Sequence, residues 1–337
     1  MRSRIRKILM ICSNYDAFAL EEDGRIENQV KNEYRELNLS NPPKFIWANS
    51  SAQARDIIGS EEEIDMIICM YNEQDKEIFP FASRLKDEGR GIPFILLIHY
   101  SKAVRQRVLE SPHPGVDFVF SWHGNADLIL AIVKLLEDAA NAENDVFEVG
   151  VKGILLVEDS IRYYSNYLPE LYKIVLTQSR EFLTESLNDD QKKYRKRSRP
   201  KIFLATCLEE AIAYFEKYRR NLLGVISDVG MVFHKGDDPK TEKLDAGIDL
   251  VRIIREYDPL IYAWELRGDS VYLKVAAGSV ENLKPDLVME AFCQFLGIEP
   301  DSVKFQHHRL EMYTDRSEDG SLIPLEAMGV DMTGDEE

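Results

Sequence analysis

The chain has 337 residues, 45% of them apolar, enough to build the cores of two or three domains. Its formal net charge of −17 argues against general affinity for nucleic acid or an anionic membrane, both of which select surplus Lys and Arg. No apolar run approaches the length of a membrane span, no signal-peptide pattern follows the basic start at 1–7, and Cys12, Cys69, Cys207 and Cys293 form no CxxC pair; the expectation is a cytoplasmic protein without a disulfide framework or a zinc site.

Apolar runs of strand length alternate with amphipathic segments of helical length, the signature of βα units around a parallel sheet. Ile8–Cys12, Lys44–Ala48, Ile64–Cys69, Pro93–Ile98 and Val116–Phe120 predict strands, and Asp127–Ala140 a closing helix. This defines a first domain over 1–143, followed by a polar linker at 144–152. The pattern restarts at Gly153–Val157. Lys201–Asp228 then repeats the strand, helix and strand of Lys44–Met70 at nearly equal spacing, which predicts an internal duplication with the second copy over 153–258.

The first helix of the second copy is overlong, running from Ser160 to about Asn188 before the basic run 191–199. Its stripe is Tyr163, Tyr164, Tyr167, Leu168, Leu171, Ile174, Val175 and Phe182. Pro169 does not forbid this helix; the alternatives to a straight run are a kink or a break there. The stripe is either a longer core-facing surface with a solvated basic end, or a docking face for the first copy or for a second chain in a homodimer. In the second case the basic run would take an acidic partner or a phosphate.

Beyond a helix near Gly247–Tyr257, two short runs, Ile261–Arg267 and Ser270–Ala276, flank Gly268 and Asp269 and predict a hairpin. A helix near Lys284–Leu296, with Pro285 tolerated in its first turn, and an extended stretch over Val303–Tyr313 complete a small ββαβ tail with an acidic end over 259–337. His307 and His308 are adjacent and would face opposite ways on a strand, so they cannot chelate one metal together. Asp237, Asp238 and Asp245 lie in a polar loop, either solvated or an accessory cation site.

The chemistry-bearing feature is Gly153–Ser160, an apolar strand ending in Glu158 and Asp159, together with Leu222–Asp228, which ends in a third acid. In a parallel α/β sheet, ligands collect beyond the carboxyl ends of the strands where the strand order reverses. Three acids meeting there repel one another unless a proton or a hard cation sits among them, and Mg²⁺, which binds through one or two carboxylates and keeps several waters, suits the position. Such an ion can also ligate a phosphoryl group and leave one carboxylate to attack it.

Ile154–Ser160, Lys201–Thr206 and Gly224–Asp228 resemble strands one to three of a response-regulator receiver domain. The resemblance implies two flavodoxin-like, doubly wound sheets in tandem, the second divergent. It makes Glu158 and Asp159 the metal-holding pair, Asp228 the phosphoacceptor, and the carbonyl of Gly230 a further metal ligand. The wording of Ile154–Pro169, Asn221–Asp228 and Asp117–Asn125 is similar to the paired receiver-like region preceding phosphoenolpyruvate-synthase or pyruvate-phosphate-dikinase modules. That implies a histidine kinase or small phosphodonor as partner and a link to phosphoenolpyruvate or pyruvate phosphotransfer, with none of the dikinase machinery present. The tail, at His308–Tyr313 and Leu322–Glu326, weakly resembles radical-SAM-linked proteins of unknown function.

The duplication places Cys12 and Ser13 where the second copy has its acid pair, and Met70 where it has Asp228. The first copy is therefore expected to be an inactive pseudo-receiver. Cys12 and Cys69 would lie at adjacent strand ends, as small buried hydrophobes or as a redox pair. The receiver pattern also calls for a strand-four Ser or Thr and a strand-five Lys. No hydroxyl ends the Pro259–Trp264 run, and Lys274 comes too soon after it for an intervening helix.

Overall fold

The computed structural model describes residues 3–13, 26–36, 39, 41–60, 63–99, 115–124, 126–184, 199–228, 230–235, 237, 241, 243, 246–257, 262–267, 270–274, 311–316 and 322–324. They form two compact units: 1–141 with 160–174, and 142–159 with 175–337. The architecture is α/β with parallel sheets.

In the first unit, β1 (Lys7–Ile11), β2 (Lys44–Ala48), β3 (Met66–Met70), β4 (Phe94–His99) and β5 (Phe118–Trp122) lie in the order β2-β1-β3-β4-β5, all parallel. This is the flavodoxin-type order, with its reversal between β1 and β3. Every residue of β3 is buried, as is Phe94–Ile98 of β4. That accounts for their unbroken apolar sequences, since a sheet covered on both faces has no polar side to alternate with.

Helices α1 (Ile26–Glu36), α2 (Ser51–Gly59), α3 (Ile78–Asp87) and α4 (Ala126–Ala142) connect or follow these strands. Helix α2 opens with a reciprocal cap: Gln53 N–H donates to Ser50 Oγ, and Asn49 N–H donates to Gln53 Oε1. Helix α4 is buried almost all round, including Lys134, Glu137, Asp138 and Asn141. Each of these has a partner: Lys134 Nζ meets Glu137 at 2.7 Å, Ile5 N–H donates to Glu137, Asn141 bonds the Ser3 backbone, and Tyr172 Oη donates to Asp138 at 3.0 Å.

The long helix α5 (Ile161–Thr184) is continuous through Pro169, so no break occurs there. Its residues up to Ile174 group with the first unit. The buried line is Ile161, Tyr164, Leu168 and Tyr172. Tyr163 and Tyr167, which the sequence stripe includes, stack on each other at its half-exposed margin with centroids 6.1 Å apart. Tyr164 Oη donates to the Val119 carbonyl and Ser121 N–H to Ser165 Oγ. Over 161–174 the stripe packs within the first unit, where Tyr164 stands edge-on to Phe120. The basic run 191–198 lies outside the described residues.

The segment read as a linker is partly helical. A π-helical turn, Glu143–Glu148, continues directly from α4. It carries Asp145, whose carboxylate meets Lys201 Nζ at 2.7 Å with both side chains almost fully buried.

In the second unit, β6 (Gly153–Val157), β7 (Lys201–Ala205) and β8 (Leu222–Asp228) repeat the parallel β2-β1-β3 arrangement as β7-β6-β8. Helices α6 (Leu208–Tyr218) and α7 (Ala246–Tyr257) cover one face, where Leu155, Val157, Phe203, Ala205 and Val225 meet Ala211, Phe215, Leu250 and Ile254. These strand positions alternate, as the period of two requires. Phe203 stacks on Tyr218 with centroids 4.6 Å apart, and a Cβ built on Gly153 would stand 2.6 Å from the Phe203 ring, so glycine is what lets that ring lie over the strand.

The sheet continues with β9 (Tyr262–Arg267), parallel to β8, and β10 (Ser270–Lys274), antiparallel to β9, which is the predicted hairpin. Then β11 (Glu311–Arg316) pairs parallel with β10, and β12 (Leu322–Pro324) antiparallel with β11. The second sheet therefore departs from the first after its fourth strand. The predicted helix at 284–296, the extended residues 303–310, His307 and His308, and Cys293 lie outside the described residues. Among the described residues, no helix is long and apolar enough to cross a membrane.

Candidate metal centre at the strand ends

Glu158 and Asp159 follow β6 directly, and Asp228 ends β8. Because Val157 pairs with Ser227, Glu158 and Asp228 come next on neighbouring parallel strands. Each of Glu158, Asp159 and Asp228 offers one carboxylate oxygen, and these oxygens all lie within 4.8 Å of one another. Among the described residues this is the one group of His, Cys, Asp or Glu so disposed.

Glu158 is 1% exposed, whereas Asp159 and Asp228 are half-buried, so the trio has a closed and an open side. The Glu158 N–H continues the ladder to Ala205 O at 3.0 Å, and Asp159 Oδ2 accepts the Val232 N–H at 3.1 Å. Ser227, fully buried, turns its hydroxyl onto the Asp228 carbonyl at 2.8 Å. Gly230 is buried in a bend two residues on. Hard oxygen ligands at such spacing suit a hard divalent cation.

The loop after Asp228 is tied down at its base, where Met231 and Lys243 exchange both backbone hydrogen bonds, at 3.2 and 3.0 Å. Asp237 spends its carboxylate on the His234 N–H within this loop and takes no part in the trio, while Asp238 and Asp245 lie outside the described residues. Sequence reasoning missed the Val232 amide, which as a backbone group has no side-chain signature.

The register also fixes what stands beside the acids on the neighbouring strands. Asp228 pairs with Leu266, and Arg267 follows, so no hydroxyl residue stands at the level of the acids on β9. Lys274 pairs with Ala263, which pairs with Val225, three residues before Asp228. At roughly 3.3 Å per residue, its backbone is about 10 Å down the sheet from the site. The hairpin reverses the chain direction, so the backbone of Lys274 lies toward the opposite end of β9 from Leu266.

In the first unit, Cys12 and Ser13 directly follow β1 and Met70 ends β3, the positions held in the second unit by the acid pair and Asp228. Cys12 and Cys69 are both buried. Burial, with lesser contributions from the nearby Asp75 and Cys12, pushes the Cys69 thiol far above its ordinary value.

No family model matches the sequence, and no curated protein matches it. Among solved structures, the chain is similar to a carbohydrate transporter from Acidothermus cellulolyticus in complex with myo-inositol, at 10% identity and a TM-score of 0.24, covering 78% of this chain and 74% of that one. A glucose-galactose binding protein from Geobacillus stearothermophilus matches at 13% identity and 0.22, covering 87% and 83%. The transcription regulator CcpA of Lactococcus lactis matches at 14% and 0.22, covering 91% and 96%. At these scores the likenesses carry no weight for fold or function.

Proposed function

We propose that the chain is a phosphorelay signalling protein built of tandem receivers, in which the second unit accepts a phosphoryl group on Asp228 and the first is inactive. The observation that supports this is the convergence of Glu158, Asp159 and Asp228 within 4.8 Å at the carboxyl ends of β6 and β8. These three carboxylates and the Gly230 carbonyl would hold Mg²⁺, which when bound screens the charge gathering on the transferred group.

Within that reading, Asp228, on the open side of the trio, is the nucleophile. Its carboxylate oxygen forms the new P–O bond while the bond from phosphorus to the donor's leaving group breaks, the electron pair leaving with that group. Buried Glu158, and Asp159 oriented by Val232, keep their charge directed at the cation. The donor is a histidine kinase or a small phosphodonor, and the sequence resemblance adds phosphoenolpyruvate or pyruvate phosphotransfer proteins as partners. Cys12, Ser13 and Met70 leave the first unit without an acceptor or metal ligands.

A second reading, a scaffold of two pseudo-receivers that is never phosphorylated, is favoured by Leu266 and Arg267 standing where a hydroxyl belongs and by the low position of Lys274. Labelling with acetyl phosphate and Mg²⁺ separates the two. The phosphorelay reading expects acyl-phosphate on the parent chain and none on Asp228→Ala; equal labelling of both, or none on either, leaves the scaffold.

A further inference from the structure

Helix α6 begins behind Cys207, whose side chain makes no cap. The first N–H groups of a helix have no partner within it, and here the loop after Asp228 supplies one. Leu208 N–H donates to Val232 O and Glu209 N–H to Phe233 O, each at 3.1 Å. Side chains of the same turn reach the same loop: Glu209 Oε2 lies 2.9 Å from His234 Nδ1, and Glu210 Oε1 lies 3.5 Å from Lys235 Nζ. Asp237 accepts the His234 N–H at 2.9 Å, and the Phe233 ring stands edge-on to the imidazole with centroids 4.6 Å apart. The other end of this stretch is the Val232 N–H that Asp159 Oδ2 accepts.

We propose that His234 is a positioning residue for the acid trio: by gripping Glu209 it holds residues 231–235 against α6, and that stretch sets the rotation of the Asp159 carboxylate through the Val232 amide. The inference rests on the cation-binding reading of the trio.

The ion-pair part of the grip depends on protonation. The hydrogen bond to Glu209 raises the His234 imidazole above its ordinary range; desolvation opposes it, and the charges of Glu209 and Asp237 add to the rise. A value raised by folding means that the contact contributes fully below the unfolded value of about 6.5 and is lost as pH rises through the higher folded value. Carboxylate ionisation drives divalent affinity the other way, up with pH. The informative quantity is therefore the ratio between variants at one pH.

Mg²⁺ binding by the full chain, measured by calorimetry at about pH 6 and about pH 8.5, tests this for the parent, His234→Gln and His234→Lys. His234→Gln is expected to bind about two- to fourfold more weakly than the parent near pH 6, the scale of one exposed ion pair, and equally near pH 8.5. His234→Lys, charged throughout, keeps the tighter affinity at both. Equal affinity of parent and His234→Gln near pH 6 overturns the positioning role and leaves the cation site standing. Absence of Mg²⁺ binding by the parent at both pH values overturns both.

Discussion

Replacing Asp228 by Asn is the sharpest single perturbation of the strand-end acids, because it removes charge while keeping shape. Three carboxylates within 4.8 Å form three repelling pairs, and Asp228→Asn abolishes two of them. Two unit charges 4 Å apart repel by about 1 kcal/mol in water and about 4 kcal/mol at an effective dielectric of 20. With Asp228 half-buried and open to solvent, the lower end applies, so the variant is expected to be about 1–2 kcal/mol more stable than the parent in EDTA. At about 2–4 °C per kcal/mol for a unit of this size, its Tm rises by about 2–8 °C. Mg²⁺ reverses the order of gains. At ten times the dissociation constant, linkage gives the parent RT ln 11, about 1.4 kcal/mol or roughly 3–6 °C, while the variant, short of one charged ligand, gains little. Differential scanning calorimetry of both proteins in EDTA and in Mg²⁺ reads all four values. A variant that melts below the parent in EDTA, or that gains as much from Mg²⁺, refutes the idea that these acids crowd one another around a cation position.

Lys201→Met strands the buried Asp145 carboxylate and is expected to cost about 3–5 kcal/mol in urea unfolding, most of it regained in the double variant with Asp145→Leu. Burial opposes ionisation of Asp145, but its hydrogen bonds to Lys201 and Asn144 and the Lys201 charge more than offset this and hold the carboxyl below its ordinary range. The parent should therefore lose this increment as pH falls below about 4 and through the depressed folded value, and the double variant should not. Gly153→Ala drives a methyl into the stacked Phe203 ring and should cost about 1–3 kcal/mol, read as a lowered urea midpoint at unchanged slope. Tyr172→Phe removes the hydroxyl that donates to fully buried Asp138 and should cost about 1–3 kcal/mol in the same assay; no change would mean that Asp138 is satisfied without it.

The elements that the sequence exposes most clearly are those whose burial is two-sided. Met66–Met70 and Phe94–Ile98 read as strands because covering both faces leaves no place for a polar residue. The acid trio was legible for a related reason: in a parallel sheet, residues that end adjacent strands must meet at one edge, so Glu158 and Asp228 can be paired without knowing any side-chain conformation. The hairpin was legible from Gly268 and Asp269, but its consequence for Lys274 needed the register, because direction reversal, and not sequence distance, decides which end of the sheet a residue occupies. Tyr172 escaped notice because the phase of an amphipathic helix is set by what it packs on, here Asp138 and the strand bearing Val119. The Asp145–Lys201 pair joins positions far apart in sequence, one in a polar stretch whose composition resembles a linker but whose backbone continues as a π turn.

Residues 160–174 complete the interior of the first unit although they are translated after the opening strand of the second. On the ribosome, Asp138 and Ser121 wait for Tyr172 and Ser165, so the earlier unit stays unfinished until part of its neighbour has emerged. A nick or gene split near Gly150 would yield not two halves but one unit missing a helix that covers its core and another carrying that helix with its apolar face bare.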